Sequence, residues 1–131
     1  MSGYIKISRK IVYNWIWDNP ERLKWWLDLL FMAAWRDDKQ LISGKIEEVP
    51  RGSLIISIRG LQDRWAKRDY RDKVKNRPGI DTIRRFLTDL CEERVICMCK
   101  TGQGNTLVTI CNYDKYQVNE IKTGQPRVSY G

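Results

Sequence analysis

The chain contains no histidine. Without an imidazole, neither a His-activated serine or cysteine nucleophile nor a Cys/His zinc set can be assembled. Its four cysteines (Cys91, Cys97, Cys99, Cys111) show no CxxC spacing. They read as reduced thiols filling small apolar positions, not as a disulfide framework. Cys97 and Cys99 would share one strand face with Cys111 on the neighbouring strand, which keeps a metal site open as the lesser alternative; the expectation is no metal and no cofactor. No apolar run approaches the roughly 18 residues needed to span a bilayer. The opening Met1-Ser2-Gly3-Tyr4-Ile5-Lys6 has no h-region and no small-residue cleavage site. Together these features predict a cytoplasmic protein with no membrane partner. Internal repeats and low-complexity tracts are absent as well.

What the chain does have is concentrated positive charge. At 131 residues, with 42% hydrophobic and 31% charged residues, it is expected to form one domain with a modest core. The formal net charge is +8. Most of it lies between Arg59 and Arg85, where ten Lys/Arg face the four carboxylates Asp63, Asp69, Asp72 and Asp81. Such a concentration beside an amphipathic helix points to a polyanion, duplex DNA first.

The hydrophobic pattern predicts an α+β protein in the order α-α-β-β-α-α-β-β. A short helix is expected near Arg9–Asn14. Asp18-Asn19-Pro20-Glu21 then starts a longer one, with a capping side chain, a first-turn proline and an acidic residue at the positive end of the dipole. Between Trp25 and Trp35 only Asp28 is polar. Leu23, Trp26, Leu27, Leu30, Phe31 and Ala34 form the expected core stripe. Trp25, Leu29, Met32 and Trp35 extend the apolar surface round the cylinder. They mark either a central core helix or a surface for self-association into a homodimer. Residues Leu41–Val49 and Leu54–Ile58 read as two strands around Pro50-Arg51-Gly52-Ser53. A helix capped by Ser57 should carry Leu61 and Trp65 inward. The polar, basic stretch Arg68–Gly79 ends in a turn, and a helix from Asp81 buries Ile83, Phe86, Leu87, Leu90 and Cys91. Val95–Lys100 and Thr106–Asn112 flank a Gly-containing loop and predict a β-hairpin. Residues 1–118 form the expected domain and 119–131 a flexible tail.

On the helix from Asp81, the stripe turns Asp81, Arg85, Thr88 and Glu92 outward and leaves Thr82, Arg84 and Asp89 on the flanks, so the first half offers Thr82, Arg84, Arg85 and Thr88 as donors. Asp89, Glu92 and Glu93 follow in the second. Donors first and carboxylates last suit a helix entering the major groove by its N-terminal end. Arg59, Lys67, Arg68, Arg71, Lys73, Lys75 and Arg77 are candidate phosphate contacts. Lys100, Gln103 and Asn105 sit on the hairpin as a wing able to reach phosphate or the minor groove.

Gly3-Tyr4-Ile5-Lys6, Arg9-Lys10-Ile11, Asn14-Trp15-Ile16-Trp17, Pro50-Arg51-Gly52-Ser53-Leu54-Ile55-Ile56-Ser57, Asp81-Thr82-Ile83-Arg84-Arg85-Phe86-Leu87 and Thr109-Ile110-Cys111-Asn112-Tyr113-Asp114-Lys115-Tyr116-Gln117 stand out. In these segments, spanning residues 3–117, the chain resembles the winged-helix domains of phage and prophage replisome-organiser proteins, related to the N-terminal domain of DnaD. The resemblance implies a winged helix-turn-helix with an extra N-terminal helix and β-hairpin. It also implies non-catalytic binding of double-stranded DNA in replication initiation, often with self-association and replisome partners. Thr82, Arg84 and Arg85 would begin the recognition helix. The chain departs from that pattern in the dozen residues of Arg68–Gly79, where a short turn is usual. The family's further C-terminal region, with any helicase-loader contact it supplies, is expected to be missing.

Other readings are a winged-helix transcriptional regulator and a protein-assembly module with no DNA contact. An enzyme is the more distant rival: Asp37-Asp38-Lys39 has the DxK spacing of metal-dependent nucleases, yet no partner carboxylate on a preceding strand.

Overall fold

The computed structural model describes residues 4–42, 44–68, 71, 74–102 and 104–116. The expected boundary at residue 118 and the tail 119–131 lie outside the described residues.

The architecture is mixed α+β, as expected in class, but its element order is richer than expected. The first segment forms two 3-10 turns, Arg9–Tyr13 and Trp15–Asp18, in place of an α-helix. The cause is local capping. Asn14 takes extended dihedrals and its side chain accepts from the Ile16 N–H at 3.0 Å, so the helix stops and restarts within one residue.

Helix α1 spans Pro20–Met32, with Asn19 accepting from the Arg22 N–H at 3.1 Å and Pro20 in the first turn. It ends three residues before Trp35. There the Ala34 N–H donates to the Ser53 carbonyl at 2.9 Å and the Ala34 carbonyl accepts from the Gly52 N–H at 2.7 Å. Tertiary pairing thus draws the chain out of the helix.

Leu41–Val49, expected as one strand, is part of a hairpin. Strands β1 (Asp38–Ile42) and β2 (Lys45–Val49) pair antiparallel, with Gly44 at φ +78° in the turn. This is the left-handed conformation that glycine supplies without a Cβ penalty. Strand β3 (Ser53–Ile56) does not join that hairpin. It pairs antiparallel with β7 (Asn105–Ile110), which also pairs with β6 (Ile96–Gly102), giving a three-stranded sheet in the order β3-β7-β6. Between them come α2 (Ile58–Arg64), whose Ser57 cap accepts from the Gly60 N–H at 3.0 Å, and α3 (Ile80–Glu92). The long connection between these two helices holds a small antiparallel ladder, β4 (Lys67–Arg68) with β5 (Val74–Asn76).

The core sits where α1, α2, α3 and the inner face of the three-stranded sheet meet. Trp25 stacks on Trp65 at 4.7 Å between centroids, and Phe86 meets both edge-on, at 5.5 and 6.1 Å. One aromatic from each helix region therefore locks the three together. The buried face of α1 is Trp25, Trp26, Leu29 and Leu30, with Ala33 at its C-cap. Of the expected stripe, Trp26 and Leu30 are buried and Leu23 and Leu27 pack against the core, but Phe31 is turned out. Phe31 is 57% exposed. A helix apolar on nearly every side leaves the choice of face to its neighbours, and Trp65 and Phe86 select Trp25 and Leu29. Among the described residues, no helix is long and apolar enough to cross a membrane.

Candidate nucleic-acid interface

Helix α3 is held by its buried face and by both ends. Ile83, Phe86, Leu87 and Leu90 are buried, which fixes the rotation of the helix about its axis. At the entrance, Gln62 Nε2 on α2 donates to the Pro78 carbonyl at 3.0 Å, and Arg77 Nε lies 2.9 Å from Asp63 Oδ1. At the exit, Arg94 takes φ +60°. The Val95 N–H then donates to the Leu90 carbonyl (2.9 Å) and the Arg94 N–H to that of Cys91 (3.0 Å). These two bonds form the double closure of a Schellman cap, with arginine where glycine is usual.

With the rotation fixed, Thr82, Arg84, Arg85 and Thr88 all face solvent. Arg84 and Arg85 form no ion pair among the described residues. The Gly79 N-cap supplies no side-chain acceptor, and Asp81 in the first turn is the acidic side chain that faces the positive end of the α3 dipole. The second half has the opposite character. Asp89, Glu92 and Glu93 line a shallow cleft with Trp15, and Asp89 pairs with Arg22 at 3.5 Å. Among its charged groups, the helix thus sets two arginines against Asp81 in its first half and only carboxylates in its second.

The remaining candidates divide. Arg59 is exposed on α2, and Lys100 is exposed on β6. Asn105 is half-buried at the start of β7. Arg68 on β4 and Arg71 in the turn beyond it are exposed. Lys67 turns toward α1, with Nζ 3.7 Å from Glu21 Oε2, and Arg77 bonds to Asp63. Both are exposed pairs of small net strength, so an incoming phosphate can compete for them. Lys73 and Gln103 lie outside the described residues. Lys75 belongs to β5, with its side chain outside them.

Of the four residues expected at a self-association surface, Trp25 and Leu29 are core residues at 1% and 0% exposure and have no surface to offer a partner. Met32 packs half-buried against the core. Trp35 is exposed, with the Arg36 guanidinium 4.7 Å from its ring centre. The exposed apolar pair missed in the sequence is Leu41 and Ile46, opposite each other on β1 and β2. Their alternation with charged residues carries no mark of which face is solvated.

The Asp37-Asp38-Lys39 triplet holds backbone. Asp37 Oδ1 accepts from the Arg51 N–H and Asp38 Oδ1 from the Lys39 N–H, each at 2.8 Å. Among the described residues, no three His, Cys, Asp or Glu side chains converge as a metal site. Cysteines 97 and 99 are exposed, contrary to the expectation that all four fill apolar positions.

Arg51 is a junction that sequence reasoning passed over as a turn residue. Its guanidinium donates to Asp114 Oδ1 (3.2 and 2.7 Å) and to the Trp35 carbonyl, and lies 5.2 Å from the centre of the Tyr113 ring. It ties the segment after α1 to the 3-10 turn Tyr113–Lys115 at the end of the sheet.

No protein-family model, curated protein or solved structure matches the chain.

Proposed function

We propose that the chain binds duplex DNA as a winged helix-turn-helix, without catalysis, in the initiation of phage or mobile-element DNA replication. The observation that carries the binding is the solvent-facing first half of α3, where Arg84 and Arg85, unpaired among the described residues, outnumber Asp81 on a helix whose rotation the core fixes. A strand before the two helices that pairs with a hairpin after them is the arrangement a winged helix needs, so α3 serves as the recognition helix and β6–β7 as the wing. Thr82, Arg84, Arg85 and Thr88 read or grip the major groove, and Lys100 and Asn105 reach the flanking backbone. Arg59, Lys67, Arg68, Arg71 and Arg77 neutralise phosphates on either side. The acidic end of α3 stays outside the groove, where phosphate repels it. The replication role rests on the segments of family resemblance.

A gel shift on random and selected duplexes at low salt tests the proposal. Arg85→Ala costs about 1–3 kcal/mol on a selected site if the side chain reads a base. A uniform weakening on every sequence assigns Arg85 to phosphate instead. Failure of the folded protein to retard any duplex overturns the proposal.

A second reading, self-association, is favoured by the exposed Leu41–Ile46 pair and by Phe31. Sedimentation at tens of micromolar tests it: a dimer that Leu41→Glu dissolves supports this reading, and a monomer removes it.

A further inference from the structure

We propose that Cys97 and Cys111 form a redox-active dithiol site that reacts with low-molecular-weight disulfides such as glutathione disulfide. The two sulfurs lie 3.7 Å apart across the β6–β7 ladder. The register explains why. Cys97 stands opposite Thr109, and the Cys111 N–H donates to the Val95 carbonyl at 2.9 Å, so the two thiols are diagonal neighbours on one sheet face. That face is the outer one. The alternate residues Ile96, Val108 and Ile110 are buried on the inner side, while Cys97 is exposed and Cys111 half-buried. A disulfide needs the sulfurs at about 2.05 Å. Diagonal partners stand about 7–8 Å apart on the sheet, so closing the bond takes rotation of both side chains together with a local shift of the hairpin's open end.

The other thiols are worse partners. Cys99 stands opposite Leu107, which is nearer the turn and four residues before Cys111 in the chain. Its Sγ lies 3.7 Å from the Lys100 carbonyl oxygen. Cys91 is half-buried at the end of α3. Burial raises the Cys91 and Cys111 thiols above their ordinary values, and neighbouring Cys97 adds to both. Cys97, exposed where Cys111 is half-buried, is the entry point for a reagent, and Cys111 is the resolving thiol.

The chemistry balances in two exchanges. The Cys97 thiolate attacks one sulfur of glutathione disulfide, forming a Cys97–glutathione mixed disulfide and releasing one glutathione thiolate. The Cys111 thiolate then attacks the Cys97 sulfur, forming Cys97–Cys111 and releasing the second. The two thiol protons end on the two glutathiones, and the protein dithiol is oxidised by two electrons. The bond closes the open end of the β6–β7 hairpin, opposite its turn.

The test exposes the full chain to glutathione buffers of graded potential, traps free thiols with iodoacetamide and maps the peptides. The expected result is loss of alkylation at Cys97 and Cys111 together, with their peptides linked within one chain and Cys91 and Cys99 still alkylated. In Cys111→Ser, Cys97 retains glutathione as a stable adduct, because no resolving thiol remains. The proposal is overturned if both thiols stay alkylated at the oxidising end, if wild-type Cys97 keeps its adduct, or if linkage forms only between chains.

Discussion

Single residues with special backbone geometry fix the corners of this fold, and Gly52 is the most demanding. It occupies the third position of the Pro50–Ser53 turn at φ +82°, with the Ser53 N–H donating to the Pro50 carbonyl at 3.0 Å. That is the type II geometry in which glycine is preferred. A Cβ there would also stand 2.9 Å from Tyr113 Cβ. Gly44 has a similar φ, +78°, but open space around it. The pair separates backbone strain from collision. Gly44→Ala is expected to cost about 1 kcal/mol from the left-handed backbone alone. Gly52→Ala should cost more, about 2–4 kcal/mol, once the clash adds to it. Urea denaturation checks this; equal losses would mean that Tyr113 yields. The sequence marks the turn through Pro-x-Gly, yet it cannot show that the glycine also makes room for a ring some sixty residues later.

Between elements, the connection of α1 to α2 runs through Asp28. Its carboxylate accepts from Arg64 Nε and Nη2 at 2.6 and 2.8 Å and from Trp65 Nε1 at 2.7 Å. Burial alone pushes this carboxyl up. The hydrogen bonds from Arg64 and Trp65, with the charges of Arg64 and Lys24, outweigh it and hold the pKa below the ordinary value. A carboxyl depressed on folding contributes stability above its unfolded pKa, about 3.9, and loses it as the pH falls through the folded value. Asp28→Asn is therefore expected to lower stability at pH 7 by about 1 kcal/mol, since Arg64 is half-exposed and solvent screens the pair. Below about pH 4 the gap to wild type should close. Urea midpoints from acid to neutral pH measure it; parallel curves would contradict the assignment.

At this same scale, local pattern succeeds and tertiary choice fails. Helices α2 and α3 and the β6–β7 hairpin were legible because each carries its own period, caps or turn. The partner of β3 was not, because β3 and β7 lie far apart in sequence and no local signal encodes their pairing. The ladder β4–β5 is short and almost wholly polar, so periodicity gave it no trace. The face of α1 was ambiguous because its apolar residues cover most of the cylinder.

For the whole molecule, the question is where the surplus positive charge acts. Several members of the basic run are engaged internally: Arg64 with Asp28, Lys67 with Glu21, Arg77 with Asp63. The count of cations in the sequence therefore overstates the charge presented to a ligand before a phosphate displaces the exposed carboxylate partners of Lys67 and Arg77. Arg84 and Arg85 are different: they stand exposed on a helix anchored by Phe86 against Trp25 and Trp65. The most direct test of the account is the salt dependence of duplex affinity for the wild type and for the Arg84→Ala/Arg85→Ala double variant. Each phosphate neutralised contributes a slope of about −0.9 in log K against log salt. If both arginines contact phosphate, or sit against the backbone as they read the groove, the slope of the double variant is shallower by up to about 1.8 while its thermal unfolding is unchanged. A variant that binds with the same slope and affinity as wild type would contradict α3 as the DNA-contacting helix.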